Sequence, residues 1–71
     1  MPDDPIVEPN AIHDVFCTEI VQIKSVGGGM SRITIAAPRG RTREIVDKLV
    51  IPDDRIAAWA LQLAAYARNR R

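Results

Sequence analysis

Residues 43–51 read REIVDKLVI, and the conformation of these nine residues decides the fold of the chain. As a strand, they put Ile45, Leu49 and Ile51 on one face with Asp47, and Val46 and Val50 on the other with Lys48. As a helix, Ile45, Val46, Leu49 and Val50 make one stripe. Arg43–Asp47 and Glu44–Lys48 then become four-apart ion pairs, and Thr42 is a possible cap. The β-branched content and the stop at Pro52 favour the strand.

The segments on either side are clearer. Upstream, MSRITIAA (residues 30–37) alternates, with Ile33 and Ile35 on one face and Arg32 and Thr34 on the other. Before it, DVFCTEIVQIKSV (residues 14–26) is rich in β-branched and aromatic residues, as strands are. Val15, Cys17, Val21 and Ile23 share one face with Glu19. Phe16, Thr18, Ile20, Gln22 and Lys24 share the other. Gly27-Gly28-Gly29 joins the two runs and signals a hairpin, because glycine tolerates the positive φ such turns need. Pro38-Arg39-Gly40 ends the second run.

Downstream, Pro52 and the acidic pair Asp53 and Asp54 open a helix over residues 53–68, with Asp53 as the expected N-cap. Ile56, Trp59, Ala60, Leu63, Tyr66 and Ala67 recur at helical spacing. Leu61, with Ala57, Ala64 and Ala65, extends the apolar surface to a second side, and Arg68, Arg70 and Arg71 complement the negative end. The expected fold is therefore α+β: a three-stranded antiparallel meander, a β-hairpin plus a third strand, packed against one C-terminal helix. Trp59, mid-helix on the main stripe, is expected to be buried.

Residues 1–13 (MPDDPIVEPNAIH) hold three prolines among acids and read as a disordered acidic tail. Residues 14–71 form the single small domain. A 71-residue chain leaves room for one core only. Its apolar fraction is 46%, but nine of those residues are alanine and only Phe16, Trp59 and Tyr66 are aromatic. With one cysteine and one histidine it has neither an internal disulfide nor a metal cluster to supplement that core. Association with a second copy is the natural supplement. A helix apolar over most of its girth also offers more surface than one small sheet can cover. The surface expected at a two-fold axis is Leu61, Ala57, Ala64 and Ala65.

The chemistry available is sparse. Cys17 reads as a small residue packed in a strand. His13, the lone imidazole, lies in the tail, so no Ser or Cys triad can be assembled. Glu19 and Glu44 could meet across strands, but without a pocket around them. The glycine run lacks dinucleotide-binding and P-loop spacing. No enzyme activity, cofactor, metal site or small-molecule substrate is expected. Nor is a membrane partner, since no stretch approaches the roughly 18 apolar residues of a span. The acidic start, with no basic or apolar run, argues against a signal peptide. A cytoplasmic protein is the expectation.

Charge is unevenly spread. Residues 1–14 carry four acids and no lysine or arginine, so the remaining 57 residues carry a formal +5 against +1 for the whole chain. Arg39, Arg41 and Arg43 crowd one connection, and Arg68, Arg70 and Arg71 end the chain. These six, with Arg32, are candidate phosphate contacts for a nucleic acid. They are equally the solvated groups that keep a small protein soluble.

The order of a short alternating strand, Pro38, a possible helix and then a second helix resembles a ribbon–helix–helix DNA-binding protein over residues 30–69. The resemblance implies a dimer whose paired strands read the major groove, here through Arg32 and Thr34. Gly40 and the arginines stand at the start of the would-be first helix, Ile51-Pro52-Asp53 replaces the usual linker, and residues 14–26 have no place in that fold. The main expectation is an interaction or accessory domain that binds itself or another protein, with nucleic-acid binding as the alternative.

Overall fold

The structure is a computed structural model that describes residues 4–70. Three strands, β1 (Glu19–Gly27), β2 (Met30–Arg39) and β3 (Thr42–Pro52), are followed by one helix, α1 (Asp53–Arg68). The strands form one open antiparallel sheet in the order β1-β2-β3. The architecture is thus the expected α+β meander with a C-terminal helix.

REIVDKLVI lies inside β3. Its residues are matched to β2 from Ile51 opposite Ser31, through Leu49 opposite Ile33, to Arg43 opposite Pro38. Pairing with a strand already aligned by the first hairpin satisfies the backbone groups of every second residue of the segment, and the others face outward at the sheet edge. An isolated nine-residue helix has only local bonds and two weak surface ion pairs. The ribbon–helix–helix arrangement is therefore not adopted, since the place of its first helix is taken by a strand.

Glycine supplies both turns. In the first hairpin Gly28 and Gly29 have φ of +63° and +72°, the two positive values a two-residue type I′ turn requires. In the second, Gly40 alone is positive at +60°, in the first central position as in a type II′ turn. There the Thr42 hydroxyl donates to the Arg39 carbonyl at 3.0 Å. Pro38 is accommodated because β1 pairs no further along β2 than Ala36, so no ladder partner is left without a donor.

Besides a register shift at Val26, next to the first turn, two bulges set the faces. β1 skips Val21 between Ile20 (opposite Ile35) and Gln22 (opposite Thr34). β3 skips Val46 between Asp47 (opposite Ile35) and Ile45 (opposite Ala36). Residues directly opposite in an antiparallel ladder share a face. One face therefore collects Ile20 and Ile23, Ile33 and Ile35, and Leu49 and Ile51. The other carries Gln22 and Lys24, Arg32 and Thr34, and Lys48 and Val50. Strict alternation assigns Ile20 away from Ile23 and Ile45 beside Leu49; each bulge reverses one of those assignments.

The core is small and follows β2. Ile33, Ala36, Ala37 and Ile51 are its buried apolar residues, beside buried Ser31 and Thr34, and among the described residues no large side chain is fully buried. The strand boundary also moves. Residues 14–18 lie before β1, although the Thr18 amide donates to the Ala36 carbonyl at 2.9 Å. Cys17 is exposed rather than packed in a strand. Residues 4–13 contain no helix or strand and lie exposed.

The helix begins without a loop. Pro52 ends β3 and is itself the N-cap, and no side chain caps the helix. Asp53, expected in that role, is instead the first helical residue. Its amide donates to the Gly29 carbonyl at 2.8 Å, and its carboxylate accepts from the Ser31 hydroxyl at 2.6 Å. At the far end the Asn69 amide donates to the carbonyls of Ala65 and Tyr66. Between the ends no helical residue is buried. The expectation that Trp59 is buried is corrected: it is 47% exposed, because the helix runs off the end of β3.

Candidate interaction surfaces

Two apolar surfaces are open. On the helix, Trp59, Leu63 and Tyr66, with Gln62, line a shallow concavity of about 410 Å³. Positions 59, 62, 63 and 66 fall on one side because residues three and four apart are neighbours on a helix. On the sheet, Ile20 and Ile23 of β1 are both more than half exposed, while their neighbour Ile33 on the central strand is buried. The outer strand of this apolar face is thus uncovered, with half-buried Ile35 and Leu49 beside it.

The expected two-fold surface lies on the other side of the helix. Leu61 is 72% exposed, Ala57 and Ala64 are exposed, and Ala65 is half-buried. The two sides together leave α1 apolar around much of its circumference, and no residue of the helix is buried.

The arginines do not gather into one patch. Arg39 pairs with Glu44 at 3.0 Å, and Arg43 pairs with Glu19 at 2.6 Å. The second pair reaches over the central strand, where Glu19 lies opposite Ala36 and Arg43 opposite Pro38. Glu19 and Glu44 do not meet: opposite Ala36 and Ala37, consecutive residues of β2, they lie on opposite faces of the sheet, each paired with its own arginine. Arg41 occupies the second turn, and Arg68 closes the helix. Arg70 lies over the Tyr66 ring, 5.7 Å from its centroid, and Arg71 falls outside the described residues.

Sequence reasoning missed one basic group. Lys24 stands directly opposite Arg32, and Lys48 stands opposite Thr34 on the same face. The register shift at Val26, between Ser25 (opposite Ser31) and Gly27 (opposite Met30), brings Lys24 opposite Arg32, and nothing in residue spacing alone announces it.

Among the described residues no group of three His, Cys, Asp or Glu side chains is placed to hold a metal ion. No described helix is long and apolar enough to cross a membrane. No family model, curated protein or solved structure matches the chain.

Proposed function

We propose that this chain is a non-enzymatic association domain that works as a symmetric homodimer, with the helix at the interface. The observation that carries this reading is the apolar surface left open on the helix. Trp59 is 47% exposed, Leu61 72%, Leu63 68% and Tyr66 65%, and no residue of α1 is buried. Contiguous exposed apolar surface of this kind marks an association site. Leu61, Ala57, Ala64 and Ala65 are the proposed contacts between the two helices at the axis, where alanine allows close approach. Sedimentation velocity at tens of micromolar tests the reading, with a dimer expected and a monomer overturning it.

A second reading is favoured by the basic group on the polar sheet face. Like charges directly opposite across strands are destabilising, and none of Lys24, Arg32 and Lys48 has an ion-pair partner among the described residues. A polyanion such as a nucleic-acid backbone would relieve that repulsion. Retention of Arg32→Ala on heparin tests it. Elution at unchanged salt would remove this face from consideration.

A further inference from the structure

Resting on the dimer reading, we infer that the helix of each protomer lies on the apolar sheet face of the other, through Trp59, Leu63 and Tyr66, so that the two copies exchange helices. The argument begins at the junction. β3 ends at Pro52 and α1 starts at Asp53. Connections that fold a helix back onto its own sheet usually need about 2–6 residues, and here there are none. The start of the helix is also held three ways. Pro52 has φ of −58°, as its ring requires; the Asp53 amide is bound by Gly29; and its carboxylate is bound by Ser31. The helix therefore leaves its own sheet, no residue of α1 is buried, and Ile20 and Ile23 stay uncovered.

The two open surfaces suit each other. The uncovered part of the apolar face is a strip along β1, where Ile20 and Ile23 are exposed beside half-buried Ile35, while Ile33 and Ile51 of the same face are buried. Neighbouring strands lie about 4.8 Å apart, so one helix, about 10–12 Å across with its side chains, spans that strip. The helix contributes Trp59, Leu63 and Tyr66, and the sheet contributes Ile20, Ile23 and Ile35. A two-fold operation that brings one helix onto the partner's sheet brings the reciprocal pair together as well. The occupant is thus a second copy of this chain, whose own helix is the missing layer. Leu61 and the alanines, on the opposite side of each helix, remain available for the contact at the axis.

The test is disulfide trapping in a Cys17→Ser background. A protomer carrying Ile23→Cys is mixed with an isotope-labelled protomer carrying Leu63→Cys and oxidised, and the mixed product is identified by mass. The expected result is a crosslinked mixed dimer. Replacing Ile23→Cys by Lys24→Cys, on the polar face, is expected to abolish it. In addition, Leu63→Glu is expected to raise the dimer dissociation constant at least about thirtyfold.

A dimer that crosslinks only through Leu61→Cys pairs overturns the exchange while leaving the dimer intact. A protein that sediments as a monomer at tens of micromolar overturns both. If the cysteine variants lose their fold, a one-to-one mixture of labelled and unlabelled wild type replaces them. Intermolecular nuclear Overhauser contacts from the Trp59 or Tyr66 ring to the Ile20 and Ile23 methyls are then expected. Their absence in a dimeric sample, or their replacement by contacts to the segment before β1, overturns the exchange.

Discussion

Ser31, on the central strand, donates its hydroxyl proton to the carboxylate of Asp53, the first residue of the helix, over 2.6 Å. The bond spans 22 positions in the chain and ties the sheet to the base of α1. Ser31 is buried, whereas Asp53 is exposed, so solvent competes at one end only. Ser31→Ala is expected to cost about 1 kcal/mol, below the usual range for hydrogen bonds to a charged group. Urea denaturation monitored by circular dichroism measures it, and an unmoved midpoint would mean that the junction is held by the backbone alone.

Trp59→Ala separates intrachain packing from association. A buried tryptophan costs about 3–5 kcal/mol on truncation, but Trp59 is nearly half exposed within one chain. At low micromolar concentration the variant is expected to lose about 1 kcal/mol or less. At a hundredfold higher concentration the wild type gains stability by mass action, and the variant is expected not to. Thermal melts at both concentrations decide. A variant that loses several kcal/mol even when dilute would show that Trp59 is buried within the monomer.

The first hairpin gives a backbone prediction free of packing effects. A Cβ added at Gly28 or Gly29 meets nothing within 4 Å, yet both residues have positive φ. Gly28→Ala and Gly29→Ala are each expected to destabilise by about 1 kcal/mol, the cost of left-handed backbone for an L-residue. Equal melting temperatures for both variants and wild type would be incompatible with the turn described.

Removing residues 1–14 changes the formal charge from +1 to +5. The shortened protein is expected to elute from heparin at higher salt, since polyanion affinity follows the cations available. Co-elution with the full chain would show that the acidic segment does not modulate the basic face formed by Lys24, Arg32 and Lys48.

Much of the fold is legible in the residues. Alternation at Ile33 and Ile35 marks β2, the glycine run marks the first turn, and the spacing of Trp59, Leu63 and Tyr66 marks the helix. The register shifts are not legible, because Val21, Val26 and Val46 look like any strand residue and register belongs to a pair of strands rather than to one. The ion pairs of Arg43 with Glu19 and Arg39 with Glu44 are hidden for the same reason. Periodicity shows which side of a helix is apolar but not what lies on it. For that reason Trp59 reads as buried in the sequence and stands half exposed in the chain.

The strands lie in the sheet in the order in which they are synthesised, each joined to the next by a two-residue turn. Every ladder contact therefore closes a short loop, so the chain contribution to the folding barrier is small and sheet formation is fast. In the exchanged dimer the remaining step is bimolecular. Its rate scales with the number of copies present rather than with any property of the single chain, which makes expression level the variable that sets how quickly newly made protein reaches its final state.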